Sequence, residues 1–136
     1  MGINIFSWSK ECNGLAAALT NPTVLARKKG TVQCDYPVTV RGRTFKDAES
    51  AYQTIKLESD YMSFSDLQIL MVEVLTCKLT QYPRLVNAID KQGGHDWLES
   101  CRHIVNGGKW EGHGVESAFI RCLVDAYMHI KCSCSN

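Results

Sequence analysis

Three polar side chains stand in one row of a predicted helix. Glu49, Gln53 and Lys56 follow the spacing i, i+4, i+7, which places a carboxylate, an amide and an amine on one helix face. In a cleft, the carboxylate can act as a general base or stabilise an oxocarbenium-like centre. The amide can fix hydroxyl groups, and a partly desolvated lysine can attack an anomeric carbon or form a Schiff base with an opened sugar. A solvated helix flank is the more common use of such a row, and the sequence leaves both interpretations open.

A glycine-rich loop around Trp110 is the second candidate site. Six glycines lie between positions 93 and 114, and glycine lets a backbone approach a ligand closely. Trp110 can stack on a base or sugar face, and the helix predicted to start near Val115 offers free N–H groups to phosphate oxygens. His113, inside this loop, is a candidate ligand contact. The alternative is a surface loop anchored by one packed tryptophan.

The charge of the chain limits its partners. The 136 residues carry a formal net charge of +1, and basic residues cluster only at Arg27-Lys28-Lys29 and at Arg41, Arg43 and Lys46. This pattern argues against a general nucleic-acid-binding surface but leaves room for a local phosphate site. No apolar run approaches the roughly eighteen residues of a membrane span, and the first residues lack the pattern of a signal peptide. We therefore expect a cytoplasmic protein with no membrane partner.

The seven cysteines are best explained as ordinary thiols. Cys77, Cys101 and Cys122 fall inside apolar helical patterns, where free cysteine packs as a small hydrophobe. An odd number of cysteines without a secretory signal argues against a disulfide framework. Cys132 and Cys134 form a close pair, but one such pair is a weak zinc signal. We expect no metal and no cofactor.

The elements that position these residues predict one α+β domain over 1–136, mainly helical with a small N-terminal β-sheet. A helix over 47–58 has an apolar face at helical spacing and is capped by Asp47 or Thr44. Before this helix, the predicted elements are a strand over 3–7, a helical turn over 15–19 ended by Asn21-Pro22, and strand and turn over 23–43 with a turn at Lys29-Gly30. The last of these leads into a hairpin, with strands at 36–40 and 44–45. After the helix, the predicted elements are a helix over 65–80 capped by Ser63 or Ser65, a helix from Pro83 to a break at Gly93-Gly94, a short helix or strand over 96–105, and a last helix from Val115 to Ile130.

Taken in order, these segments resemble the NADAR family of YbiA-like N-glycosidases. Residues 36–56 are similar to the family's hairpin and its (S/D)-x-E-x-x-x-Q-x-x-K helix, and residues 75–85 are similar to its A-x-x-x-K-F-x-Q-N-P-x-L segment. Residues 19–22, residues 94–99 and the loop around Trp110 follow in the family's order. The resemblance covers most of the chain.

This resemblance implies an α+β fold of the family's kind, with a pocket where the N-glycosidic bond of a ribosyl or ADP-ribosyl group is hydrolysed. It implies Glu49 as the catalytic carboxylate and Lys56 as a second catalytic residue, the candidate for covalent attachment to the sugar. The expected substrate contacts, from the resemblance and from the loop, are Tyr52, Gln53, Trp110, Gly112 and His113. The expected partner is an ADP-ribose or ribosyl nucleotide ligand, or ADP-ribosylated nucleic acid.

Three functions stay open at this point. The first is an N-glycosidase. The second is a non-catalytic protein that sequesters ADP-ribose- or NAD-derived nucleotides. Two departures from the family favour it: Phe64 is the nearest aromatic to the family's tryptophan ahead of the central helix, and residues 106–109 lack an expected acidic residue. The third is a protein-interaction domain in which Glu49, Gln53 and Lys56 are plain surface.

Overall fold

Two long helices, α4 (Phe64–Gln81) and α7 (Ala118–Cys134), form the largest helix–helix contact in this computed structural model. The structure describes residues 2–134, with the side chain of Cys134 excepted. The remaining elements are α1 (Leu15–Ala18), α2 (Thr23–Lys29), β1 (Val38–Val40), β2 (Arg43–Phe45), α3 (Ala48–Glu58), α5 (Pro83–Gln92), α6 (His95–Ser100), β3 (Arg102–His103), β4 (Gly112–His113) and two 3₁₀ turns, Glu11–Gly14 and Gly114–Glu116. The described chain is therefore α+β and mainly helical, as predicted.

The central helix α4 follows its predicted pattern closely. Ser63 accepts a hydrogen bond from the Asp66 N–H, and the Asp66 side chain accepts one from the Ser63 N–H, which satisfies two free donors of the first turn. The apolar residues at helical spacing face the core. The neighbouring helix α5 begins at Pro83 and buries its apolar face, so this prediction is confirmed too.

A two-stranded hairpin covers one side of α4. Strands β1 and β2 pair antiparallel, with Val40 opposite Arg43. The two turn residues, Arg41 and Gly42, have φ of 54° and 80°, and positive φ at both positions is the requirement of a type I′ turn. Val38 and Val40 are fully buried and contact α4 through the strand. The predicted hairpin is confirmed.

The carboxylate of Asp47 joins the starts of two helices. Its Oδ1 accepts a hydrogen bond of 2.8 Å from the Ser50 N–H and so caps α3. Its Oδ2 accepts a hydrogen bond of 3.1 Å from the Val24 N–H, in the first turn of α2. Asp47 is 3% exposed, so both bonds form away from bulk water. The predicted helix over 47–58 and its cap are confirmed.

Several predictions for the chain outside the long helices are wrong. Residues 23–29 form helix α2, because a carboxylate distant in sequence caps it and Gly30 ends it with a left-handed φ of 79°. The predicted strand over 3–7 is reduced to one bridge between Asn4 and Arg102, so the second small sheet, β3 with β4, belongs to the late part of the chain. The last helix begins at Ala118, after a 3₁₀ turn that contains Val115.

A buried lysine fixes the segment between α1 and α2. Lys78 on α4 is 1% exposed, and its Nζ donates to the carbonyls of Ala18 at 2.5 Å and Thr20 at 2.7 Å. Burial lowers the pKa of Lys78 to about 7, against the opposing effect of the Asp47 carboxylate. The sequence predicted Lys78 only as part of a family motif. Its side chain is a structural tie between two parts of the fold.

The double role of Asp47 predicts a large loss of stability on its removal. Asp47→Ala leaves two helix N-termini without their acceptor in a buried place, so we expect the free energy of unfolding to fall by about 2–4 kcal/mol. Asp66→Ala removes one acceptor of the α4 capping box at an exposed position and serves as the matched control, with an expected loss of about 1 kcal/mol. Urea denaturation measures both. Equal losses for the two variants would contradict the double role.

The buried amine of Lys78 predicts that stability rises with pH. Between pH 7 and 9 the unfolded chain keeps this proton, with an ordinary pKa of 10.5, while the folded chain releases it at a pKa of about 7. The unfolded state then binds more protons, so the free energy of unfolding of the wild type should increase by about 2 kcal/mol across this range. Burial also raises the pKa of the thiols of Cys77, Cys101 and Cys122, and their opposite effect begins as the pH nears the ordinary thiol pKa of 9.0, so the rise is clearest between pH 7 and 8.

Lys78→Met tests this by removing the titrating group at similar volume. We expect a nearly flat stability between pH 7 and 9 for this variant in urea denaturation. A slope equal to that of the wild type would show that another group titrates.

Candidate functional site

A small, partly enclosed cavity lies at the N-terminal end of α3. Its volume is about 170 Å³. It is built by the segment before α2, by α3, by α4, by β3 and by the loop that leads into α7. The residues that line it are Thr20, Asn21, Pro22, Glu49, Tyr52, Gln53, Met71, His103, Trp110 and Phe119. Four of the residues predicted as site residues therefore lie at one cavity: Glu49, Tyr52, Gln53 and Trp110.

Aromatic rings form one wall of this cavity. Trp110 meets Tyr52 edge to face, with ring centroids 5.9 Å apart, and meets Phe64 in the same way at 5.0 Å. On another side, the rings of His103 and Phe119 lie 4.8 Å apart. Phe64 is the aromatic residue closest in sequence to the position where the NADAR family has a tryptophan, and in this structure its ring packs against Trp110. Such a wall offers flat apolar surface to a sugar or a base.

The carboxylate of Glu49 is held in one orientation at the cavity. Gln53 Nε2 donates to Glu49 Oε2 at 2.9 Å, one helical turn away. The Glu49 N–H, in the first turn of α3, donates to the Asn21 carbonyl at 3.2 Å. This N-terminal position favours a negative charge because the free N–H groups and the helix dipole point toward it. The result is an ionisable carboxylate, half-buried and oriented, beside an aromatic wall.

Asn21 adds an unsatisfied polar atom to the same cavity. Its side chain is 5% exposed, and its Nδ2 donates to the sulfur of Met71 at 3.1 Å. Its Oδ1 is buried and has no hydrogen-bond partner among the described residues. Buried polar atoms are nearly always paired, so an unpaired one at a cavity wall indicates a missing partner such as a ligand hydroxyl or a water. No role was predicted for Asn21, although it lies in the segment 19–22 that resembles the NADAR family.

An open groove of about 410 Å³ adjoins this cavity and shares Pro22, Glu49 and Gln53 with it. Two lysines, Lys28 and Lys46, also line the groove. Neither takes part in an ion pair found in residues 2–134. Asp47 also lines the groove, so its two lysines are matched by two carboxylates, and Glu49 and Gln53 lie at the boundary between the aromatic cavity and this open groove of mixed charge. A ligand that spans this boundary would have an uncharged ring on one side and anionic groups on the other.

Lys56, Gly112 and His113 do not line the aromatic cavity. Lys56 is exposed and lines a separate groove with Tyr61, and its Nζ is 5.8 Å from the ring centroid of Tyr52. The seven-residue separation from Glu49 corresponds to about 10 Å along a helix, so Lys56 lies toward the opposite end of α3 from Glu49. Gly112 and His113 pair with β3 as strand β4, and His113 is exposed. The structure therefore does not bring these three residues into the lining of the aromatic cavity, and their expected catalytic and binding roles stay predictions.

The loop around Trp110 is held by more than its tryptophan. The carboxylate of Glu111 accepts hydrogen bonds of 2.8 Å from the N–H groups of Asn106 and Gly107, and these bonds lower the pKa of Glu111 to about 2. The Trp110 carbonyl accepts from Ser117 Oγ at 2.7 Å, next to the start of α7. Side chain–backbone hydrogen bonds on both sides of Trp110 therefore hold this exposed loop in addition to the packing of the ring.

His103 is a cavity residue to which the sequence assigned no role. Its Nδ1 lies 2.7 Å from the Ile5 carbonyl. A carbonyl oxygen only accepts, so Nδ1 carries the hydrogen and Nε2 remains for other partners. The sequence signal was weak, because His103 sits in a segment that reads as helix or strand. Its position in β3, beside Phe119, brings it to the wall.

A metal site has little support in the described part of the chain. His95, Asp96 and Glu99 have ligand atoms within 4.8 Å of one another, but all three are exposed and none lines the aromatic cavity. Six cysteines, Cys132 among them, are free thiols. The side chain of Cys134 lies outside the described residues, so the predicted Cys132–Cys134 pair has no structural description.

Comparisons with protein-family models, with curated proteins and with solved structures found no match. The resemblance to the NADAR family accordingly rests on the sequence segments themselves. Within residues 2–134, no helix combines the length and apolar character that crossing a bilayer requires.

Close packing around Gly112 predicts that an alanine costs more stability there than at Gly107, in the same loop. Gly112 has a φ of 154°, and an added Cβ would lie 2.9 Å from the Ser117 N, so Gly112→Ala should lower the free energy of unfolding by about 2–3 kcal/mol. Gly107 has a φ of 93° with open space around it, so Gly107→Ala should cost only about 1 kcal/mol of backbone strain. Thermal and urea unfolding compare the two. A loss at Gly107 as large as that at Gly112 would contradict close packing as the reason for Gly112.

Proposed function

We propose that this chain is a NADAR-type N-glycosidase with the family's α+β fold. It hydrolyses the bond between a ribosyl or ADP-ribosyl group and a nucleic-acid base or aminopyrimidine, in the cytoplasm. The observation that carries the proposal is the oriented carboxylate of Glu49 at the mouth of a cavity walled by Tyr52 and Trp110. A carboxylate beside a ring-sized cavity is suited to a positively charged sugar intermediate.

In this proposal the cavity receives the ribose and the open groove receives the phosphates. Small-molecule pockets usually measure about 300–1,000 Å³, so a cavity of about 170 Å³ suits one ring and excludes a whole nucleotide. The unpaired Oδ1 of Asn21 would accept a hydrogen bond from a sugar hydroxyl. Lys28 and Lys46 would hold the diphosphate in the adjoining groove.

The chemical step needs a base, a stabilised sugar and a proton for the leaving group. Glu49 takes the proton of the attacking water and stabilises the oxocarbenium character that develops as the C–N bond breaks. The water oxygen joins the anomeric carbon, and the released base takes a proton from the imidazolium form of His103. Gln53 keeps the Glu49 carboxylate pointed at the reacting carbon. Lys56 has no covalent role in this scheme, because it stands outside the cavity.

A second function, sequestration of ADP-ribose- or NAD-derived nucleotides without cleavage, is favoured by one observation. Glu49 is the only carboxylate that lines the aromatic cavity in the described structure, whereas most glycoside hydrolases use a pair. With His103 unable to supply a proton, the same cavity and groove would hold the nucleotide intact.

The test is base release from an ADP-ribosylated oligonucleotide and from a ribosylaminopyrimidine phosphate, measured by mass spectrometry. We expect Glu49→Gln, which keeps the hydrogen bond to Gln53, to reduce the rate by at least about 100-fold. Glu58→Gln on the same helix, where the carboxylate is exposed and paired with Arg43, is the matched control and should keep full activity. Unchanged turnover in the Glu49 variant, or none in the wild type, would rule out the enzyme. Calorimetry with ADP-ribose then separates a binding protein from an interaction domain.

A further inference from the structure

A second and larger cavity lies on a different part of the molecule. Its volume is about 520 Å³, within the usual size range of small-molecule sites. Its walls are the turn Glu11–Gly14, α1, the segment after α2 and the first turns of α5. It shares no lining residue with the aromatic cavity or with the lysine groove. A ligand bound here would therefore be separate from the proposed substrate.

The charge of this cavity is entirely positive. Lys10 and Arg84 line it, and no aspartate or glutamate does. Neither cation belongs to an ion pair found among residues 2–134. The rest of the wall is apolar or neutral, with Leu15, Val32 and Leu85 as its larger apolar side chains. Two uncompensated cations above an apolar wall favour a ligand with an anionic group and an apolar body.

Arg84 is held in place by groups that leave its charge uncompensated. Its Nη2 donates to Cys34 Sγ at 2.8 Å. The guanidinium carbon lies 5.0 Å from the ring centroid of Tyr36 and 5.9 Å from that of Tyr82, and these two rings meet edge to face. Nearby aromatic rings restrict the orientation of a guanidinium, and the Tyr36 side chain also hydrogen-bonds to Arg84. This arrangement suits bidentate hydrogen bonding to a carboxylate or phosphate.

The opposite wall is a strained turn. Cys12 and Asn13 have left-handed φ angles of 54° and 55°, and Gly14 follows with 92°. A left-handed conformation is unfavourable for a residue such as cysteine, because Cβ crowds the backbone. At Gly14 an added Cβ would lie 2.9 Å from the Thr31 carbonyl, so the glycine lets the turn close against the segment after α2. Strained backbone of this kind concentrates at ligand-binding and active sites.

We propose that this cavity is a second binding site, for a small organic anion that carries one phosphate or carboxylate group on an apolar or ring-shaped body. Arg84 binds the anionic group through bidentate hydrogen bonds, and Lys10 adds a positive charge at the rim of the cavity. The body of the ligand packs on Leu15, Val32 and Leu85. The site does not depend on the glycosidase proposal, because the two share no residue.

The experiment is calorimetric titration with phenyl phosphate, benzoate and benzyl alcohol, which present one ring with a phosphate, a carboxylate or an uncharged group. We expect saturable binding of at least one anion and none of benzyl alcohol, and the better anion identifies the ligand class. Arg84→Gln should weaken that binding by about tenfold or more. Lys91→Gln, an exposed cation on the same helix, and Glu49→Gln, at the other cavity, should leave it unchanged.

Three outcomes overturn the proposal: no saturable binding of either anion, equal binding of benzyl alcohol, or an Arg84→Gln variant that binds as well as the wild type. NMR amide shifts give a second readout of the location. With the anion bound, the largest shifts should fall on the turn Glu11–Gly14 and on Cys34. Shifts centred on α3 instead would place the anion at the other site.

Discussion

The ammonium group of Lys78 is the constraint on which the rest of the structure depends. It is buried in α4 and donates to two carbonyls of the segment between α1 and α2. That segment has no strand or long helix of its own to hold it. The next residue along, Asn21, supplies one wall of the aromatic cavity and accepts a bond from the Glu49 N–H. A buried, hydrogen-bonded amine in the core therefore positions a polar site near the surface.

Asp47 completes this arrangement from the other side. It caps α3 and the start of α2 at once, so the two helices that border the site begin at one carboxylate. Its negative charge also partly offsets the desolvation of Lys78. Because burying polar groups is costly unless they are hydrogen-bonded, it matters that Asp47 and the Lys78 amine both have hydrogen-bond partners here. The hydrogen bonds of Asp47 and Lys78 thus hold the elements that border the site, and the apolar packing of α4 and α7 surrounds these hydrogen bonds.

The long helices could be predicted from sequence because their information is local. The apolar spacing of α4, its Ser63 cap and the Asp47 cap of α3 each lie within a few residues of the elements they define. Helix α2 was missed for the opposite reason, since its acceptor comes from Asp47, more than twenty residues later. The role of Lys78 was also missed, because lysine is usually a surface residue and its type alone does not predict burial.

The candidate site was predictable to the extent that it lies on α3. Glu49, Tyr52 and Gln53 share the turns that face the cavity, and the loop signal located Trp110. Lys56 is in the same helix row as Glu49 and Gln53 but lies almost two turns beyond Glu49. A sequence pattern shows which face of a helix a residue is on, but it does not show how far a cavity extends along that face. Asn21 and His103 reach the cavity only through tertiary contacts, one through Lys78 and the other through the pairing of β3 with β4.

The most direct measurement is a crystal structure of the wild-type protein with ADP-ribose, the product that would remain in the site after hydrolysis. The account predicts the terminal ribose between Glu49 and Trp110, with a hydroxyl bonded to Asn21 Oδ1 and the diphosphate beside Lys28 and Lys46. ADP-ribose bound only in the larger cavity at Arg84, or absent at saturating concentration, would contradict it.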